Sequence, residues 1–250
     1  MNTKKALITG AASGIGRSTA IRFAEEGYDV CINDIQSCKL KKLFKQLPKG
    51  NHLILEGSYT EKKIIAEGKD IISKHWGKLD VLINSAGVSK ESNLVEMEIG
   101  QWREIFDSMI NGCLSITKLA VDFMDMGGRI IHITSIHGVR GERGFSSYSV
   151  AKSAINQFCR SMAIELAEKN ILINAIAPGF VDTPFLIHNG ENEIETKWFA
   201  DNYINGGHLP LRRAATPKEI AGVALFLSGD DASYITGQVI IVDGGLTITF

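Results

Sequence analysis

Tyr148 and Lys152 stand four residues apart in the run Tyr-Ser-Val-Ala-Lys. On a helix that spacing puts both side chains on one face, one turn apart. Tyrosine titrates at about 10 and is a poor base at neutral pH. An ammonium beside it favours the phenolate, so the pair suits a tyrosine that takes or returns a proton. The bland alternative is an ordinary Tyr–Lys pair on a helix surface. A second cluster is glycine: Gly10, Gly14 and Gly16 in LITGAASGIGRSTA, with Ser13 and Ile15 in the same turn. Glycines between a strand and a helix permit a tight turn and close approach of a pyrophosphate to the free N–H groups of the helix start. Asp34 follows Gly16 by 18 residues, at the end of the next strand pattern. A carboxylate there accepts hydrogen bonds from adenosine ribose hydroxyls and repels a 2′-phosphate. Ser13 and the apolar Ile35 stand where an NADP binder gains from a basic side chain. The pattern points to NAD rather than NADP.

These groups need a scaffold, and the chain alternates two periodicities. Short β-branched runs read as strands at Lys5–Thr9, Asp29–Asp34, His52–Glu56, Leu79–Asn84, Arg129–Ser135, Ile171–Ala177 and Gln238–Val242. Between them, apolar residues at three- and four-residue spacing predict helices over Ile15–Glu26, Lys39–Leu47, Glu61–Trp76, Gln101–Met124, Tyr148–Glu168 and Pro217–Leu227. Strands that are continuously apolar (KALIT, VLIN, RIIHIT) are expected to be buried on both faces. The alternation predicts an α/β fold: a Rossmann-type, doubly wound sheet of about seven parallel strands with helices on both faces. Residues 1–250 read as one domain. The irregular stretch Val181–Ala215 is long enough to be functional, and residues 183–215 read as a lid over substrate.

Composition narrows the function classes. With 27 Lys and Arg against 28 Asp and Glu, the net charge of −1 excludes the basic footprint of a nucleic-acid binder. No apolar run reaches the ~18 residues of a membrane span. No signal-peptide pattern opens the chain, so a cytoplasmic location is expected. The four cysteines and six histidines show no metal-ligand spacing, and no metal is expected. Glycine is abundant, 25 residues against 5 proline. Read by position, most of these glycines are expected to make close approaches to a dinucleotide.

The series TGAASGIG, NSAG at Asn84–Gly87, Ser135, Tyr148-Ser-Val-Ala-Lys152, Pro178-Gly179 and the closing Gly237-Gln-Val-Ile-Ile-Val-Asp243-Gly-Gly resembles the short-chain dehydrogenase/reductase family over essentially the whole chain. The resemblance implies hydride transfer between a nicotinamide and an alcohol or carbonyl. It assigns Tyr148 as acid/base, with the oxidised nicotinamide and Lys152 both favouring its phenolate. Ser135 would orient the substrate oxygen and Lys152 would hold the nicotinamide ribose. It further implies that Asn84, Ala86 and Gly87 line the cofactor ribose, that Ser58 stands near the adenine, and that Pro178, Gly179, Val181 and Thr183 cradle the carboxamide end. Homotetrameric assembly is also implied. By motif wording the nearest groups are glucose-type sugar dehydrogenases and 3-oxoacyl-carrier-protein reductases; the latter generally use NADPH, from which Asp34 points away.

One family residue is missing. Aligned on Trp102 and Gly112, the helix asparagine that holds a proton-relay water falls on Met109, a weak thioether acceptor. Either another group holds the water, or a local shift brings Asn111 into play, or turnover is impaired. The alternative function is therefore an NAD-binding regulatory or scaffold protein. A methyltransferase that uses the same turn leaves the Tyr–Lys pair unexplained. Substrate is expected to meet His137, Phe185 and Trp198. His137 reads equally well as structural, and Trp198 with Tyr203 equally well as a satellite core or subunit contact.

Overall fold

A computed structural model describes residues 3–89, 95–188 and 190–249. The seven-stranded parallel sheet and its flanking helices follow the predicted alternation. Its strands are β1 (Lys5–Thr9), β2 (Asp29–Asp34), β3 (Leu53–Glu56), β4 (Val81–Asn84), β5 (Arg129–Ile133), β6 (Leu172–Pro178) and β9 (Val239–Val242). Their order is β3-β2-β1-β4-β5-β6-β9, all neighbours parallel. Order reverses between β1 and β4, so the loops after those strands splay apart and open a crevice beyond their carboxyl ends.

Each face of the sheet carries its own core. Residues of α1 (Gly14–Glu25), α2 (Ser37–Phe44) and α8 (Pro217–Leu227) pack Phe23, Leu40, Leu43, Ile220 and Leu227 onto one side. The other face is covered by α3 (Lys62–His75), the helix pair α4 (Ile99–Phe106) and α5 (Gly112–Val121), and the 20-residue α6 (Ser146–Glu165). Burial on both faces explains why β2, β5 and β6 are buried at every position.

The departures from the sequence reading are local. The helix expected over Gln101–Met124 is split by a π-helical turn, Asp107–Asn111, between α4 and α5. The fifth strand ends at Ile133, before Ser135, which caps a 3₁₀ turn over Ile136–Gly138. The insertion has structure of its own: a two-residue hairpin of β7 (Ile187–His188) and β8 (Glu191–Asn192), the short α7 (Lys197–Phe199), and a π turn over Ala200–Asn205. Its two ends meet. Val181 and Ala215 form a parallel bridge, and the Ala215 N–H donates to the Phe180 carbonyl at 2.9 Å.

Candidate active site

One cavity of about 340 Å³ runs along the carboxyl ends of the strands. Asp34 lies at one end, where β2 stops. The Ala12 and Gln36 N–H groups donate to its two carboxylate oxygens at 3.0 and 2.8 Å. That holds the carboxylate in place and leaves each oxygen acceptor capacity toward the cavity. The glycine turn comes next, with Gly10, Ser13, Gly14, Ile15 and Gly16 all lining the cavity. Ser58 lines it beside Asp34, its hydroxyl paired with Thr60 at 2.7 Å.

The glycines also make close approaches within the chain. A Cβ on Gly16 would stand 2.2 Å from the Gly10 carbonyl oxygen, and one on Gly10 2.8 Å from the Ala86 nitrogen. Gly14 has φ +51° and faces the Thr183 side chain, while a Cβ on Gly179 would meet Asp243 at 2.9 Å. The turn folds tightly against the loops that follow β4 and β6.

At the far end, Ser135, Tyr148 and Lys152 converge on the same cavity. The α6 spacing places Lys152 Nζ 5.5 Å from the centre of the Tyr148 ring, and Nζ donates to the Ile133 carbonyl at 2.9 Å. Gly87 faces the ammonium, since a Cβ there would stand 3.5 Å from Nζ. In the folded chain alone, burial outweighs the expected effect of the lysine. It pushes the Tyr148 phenol up to about 12, opposed by a hydrogen bond with Ser135. Burial also pulls Lys152 down to about 8. Both shifts have one cause, the removal of water from a charged form.

Ala86, Gly87, Pro178, Gly179, Val181 and Thr183 all line the cavity between these ends. Asn84 does not. Its side chain turns under the sheet, accepting from the Thr9 hydroxyl at 2.7 Å and meeting His132 Nδ1 at 3.1 Å. His132 is a polar residue within the apolar run RIIHIT, where strand periodicity alone gives it no separate role. It is 1% exposed, contacts Cys113 and Thr117, and burial drives its pKa down to about 3.

The π turn settles how Met109 sits. Met109 is 2% exposed and faces the core, while Asn111 points outward and donates to Asp107 at 2.7 Å. The turn therefore does not bring Asn111 to the site. Ser108 lines the cavity, so the polar group this turn offers is a hydroxyl. Of the three residues expected at substrate, His137 and Phe185 line the cavity and Trp198 stands apart from it. Trp198 packs edge-on to Tyr203, which itself rests on Phe180 and Phe199 in an aromatic cluster. The insertion also reaches the cavity through Pro184, Leu186 and Glu193.

A family model described as enoyl-(acyl carrier protein) reductase matches residues 10–247. The chain belongs to the short-chain dehydrogenase/reductase family of oxidoreductases. It is 37% identical to the 3-oxoacyl-[acyl-carrier-protein] reductase FabG of Thermotoga maritima, with 98% of each chain covered. It is 34% identical to the glucose 1-dehydrogenase of Gluconobacter oxydans, over 98% of this chain and 92% of the relative. An uncharacterized oxidoreductase of Escherichia coli, YohF, is 33% identical over 97% of this chain. Membership in this family implies a nicotinamide cofactor. Among the described residues no group of His, Cys, Asp or Glu is arranged to hold a metal, and no helix is long and apolar enough to cross a membrane.

Proposed function

We propose that this short-chain dehydrogenase/reductase is NAD-dependent and interconverts a secondary alcohol and its carbonyl, with Tyr148, Lys152 and Ser135 as its catalytic residues. One observation carries the reading: a single cavity has the Asp34 carboxylate at one end and the Ser135–Tyr148–Lys152 set at the other. The residues present fit a dinucleotide. Asp34 would take the adenosine ribose, the glycine turn the pyrophosphate, and Gly179, Val181 and Thr183 the carboxamide end. A nicotinamide held there would supply hydride acceptance or donation and, in its oxidised form, a positive charge in the cavity. Ser135 orients the substrate oxygen toward the phenol. Tyr148 takes the hydroxyl proton during oxidation and returns it during reduction. Lys152, fixed on the Ile133 carbonyl, holds the ribose and supplies a second positive charge. Closing the site excludes water, which strengthens both charge effects.

Titration of NADH and NADPH against intrinsic tryptophan fluorescence tests the cofactor. Tighter binding of NADH is expected, and preference for NADPH would overturn the Asp34 reading. Turnover with alcohol and carbonyl panels should vanish in Tyr148→Phe while NADH binding persists.

We also propose a cytoplasmic homo-oligomer, with a tetramer favoured. The edge strand β9 reads Val-Ile-Ile-Val yet is only partly covered, with Ile241 44% exposed and Ile164 of α6 79% exposed. An apolar edge of that kind gains from being covered by a second chain.

A further inference from the structure

We infer that His137 and Glu142 form a hydroxyl-recognising subsite beside the reacting carbon, and that the substrate is a polyhydroxylated compound such as a polyol or aldose. This rests on the oxidoreductase reading and adds the substrate class to it. The 3₁₀ turn after β5 places His137 two residues past Ser135, whose hydroxyl accepts the His137 N–H at 3.1 Å. The imidazole stands edge-on to the Tyr148 ring, centres 5.4 Å apart, and edge-on to Phe145 at 5.3 Å. It is thus held against the ring that carries the proton-transferring hydroxyl. Its Nε2 meets Glu142 Oε2 at 2.8 Å, and its buried Nδ1 has no partner. Both residues line the cavity.

The chemistry of this end is that of acceptors. A carboxylate offers about four lone-pair directions and the imidazole takes one. Glu193 lines the same end from the insertion. Among the described lining residues Lys152 is the one cationic side chain, and its ammonium is tied to the Ile133 carbonyl. Arg140, the nearby candidate for an anion, reaches away to the Thr247 carbonyl instead. Hydroxyl donors satisfy such a surface, whereas a phosphate- or carboxylate-bearing substrate must approach the Glu142 carboxylate. Phe145 and Phe185 supply apolar walls against which the C–H face of a sugar or polyol packs.

The test compares wild type, Glu142→Gln and His137→Phe on matched probes. These are trans-1,2-cyclohexanediol and D-sorbitol as polyols, cyclohexanol as a mono-alcohol, and 3-hydroxybutyryl-N-acetylcysteamine as a thioester. Binding is read by ligand-observed NMR on the NADH-loaded protein, and turnover by absorbance of NADH. Wild type should favour a polyol over cyclohexanol in kcat/KM by about tenfold or more, since a site built for a hydroxyl rejects the analogue that lacks it. Each variant should lose most of that preference, the ratio of kcat/KM for polyol to that for cyclohexanol falling toward one chiefly through the KM for the polyol. Equal losses on all probes would assign the pair a structural role and overturn the inference, as would a wild-type preference for the thioester. Polyol binding that disappears in Glu142→Gln, without turnover of any probe, would uphold the subsite and sink the oxidoreductase reading. Absence of polyol binding would sink the subsite alone.

Discussion

At the residue scale, the Tyr148 phenol is held protonated by its own burial, so its activation depends on charge brought into the cavity. Ultraviolet difference titration, as wild type minus Tyr148→Phe, should show a phenol ionising near 12 in the free protein. Oxidised cofactor should move that titration downward and reduced cofactor should move it less, because only the former carries the positive ring. Oxidation, which needs the phenolate, should therefore accelerate as pH rises. The Met109 position makes a second prediction. An asparagine amide placed in that buried position loses apolar packing, so Met109→Asn should lower stability by about 1–3 kcal/mol in thermal melts. It should raise kcat if an amide-held water quickens the relay, with an unchanged kcat assigning that water to another group. Ser108→Ala then reports whether the cavity hydroxyl is that group, by a further fall in kcat.

The Tyr–Lys pair and the Asp34 carboxylate were legible from residue type and spacing, since both depend on neighbours along one element. The sign of the Tyr148 shift was not. It depends on water exclusion by segments more than thirty residues away, such as the loop that carries Phe185.

At the element scale, the first βα turn is a self-packing unit whose glycines are required by the protein before they serve a ligand. Gly16→Ala should lower the melting temperature of the cofactor-free protein, because its Cβ meets a carbonyl oxygen of rigid backbone. If the melt is unchanged and only NADH binding weakens, the glycine serves the dinucleotide alone. Strand β5 carries another element-scale consequence. His132 titrates near 6.5 when unfolded and near 3 when folded. Above pH 6.5 both states are neutral there. As pH falls from 6.5 toward 3 the unfolded chain binds a proton that the folded chain refuses, so stability is lost over that window. The loss is about 1.4 kcal/mol per unit at most. Denaturant melts should show a shallower acid dependence in His132→Asn than in wild type.

Strand and helix positions followed from periodicity with shifts of up to three residues, the largest at the ends of α2, α5 and α6. The π turn did not, because 3.6-residue spacing continues across Asp107–Asn111 without a Gly or Pro to mark the break. Likewise Asn84, the last residue of β4, turns its amide inward to the buried His132 and Thr9.

At the scale of the whole molecule, β9 is an edge strand of the large sheet with no fully buried position, and it is apolar throughout. Light scattering with size exclusion should give the mass of about four chains. Ile241→Lys should reduce that mass, while a monomeric wild type would show that the edge needs no cover.

The sequence by itself determined the family, the order of strands and helices, and the candidate residues Ser135, Tyr148 and Lys152 that meet in one cavity. Each of these rests on local spacing and on motifs read along the chain. Only the tertiary structure decided the partners of the glycines, the burial that raises Tyr148, the inward turn of Met109, and the meeting of His137 with Glu142 beside the phenol. Those are properties of segments brought together by packing, and no periodicity within one segment encodes what lies across the cavity from it.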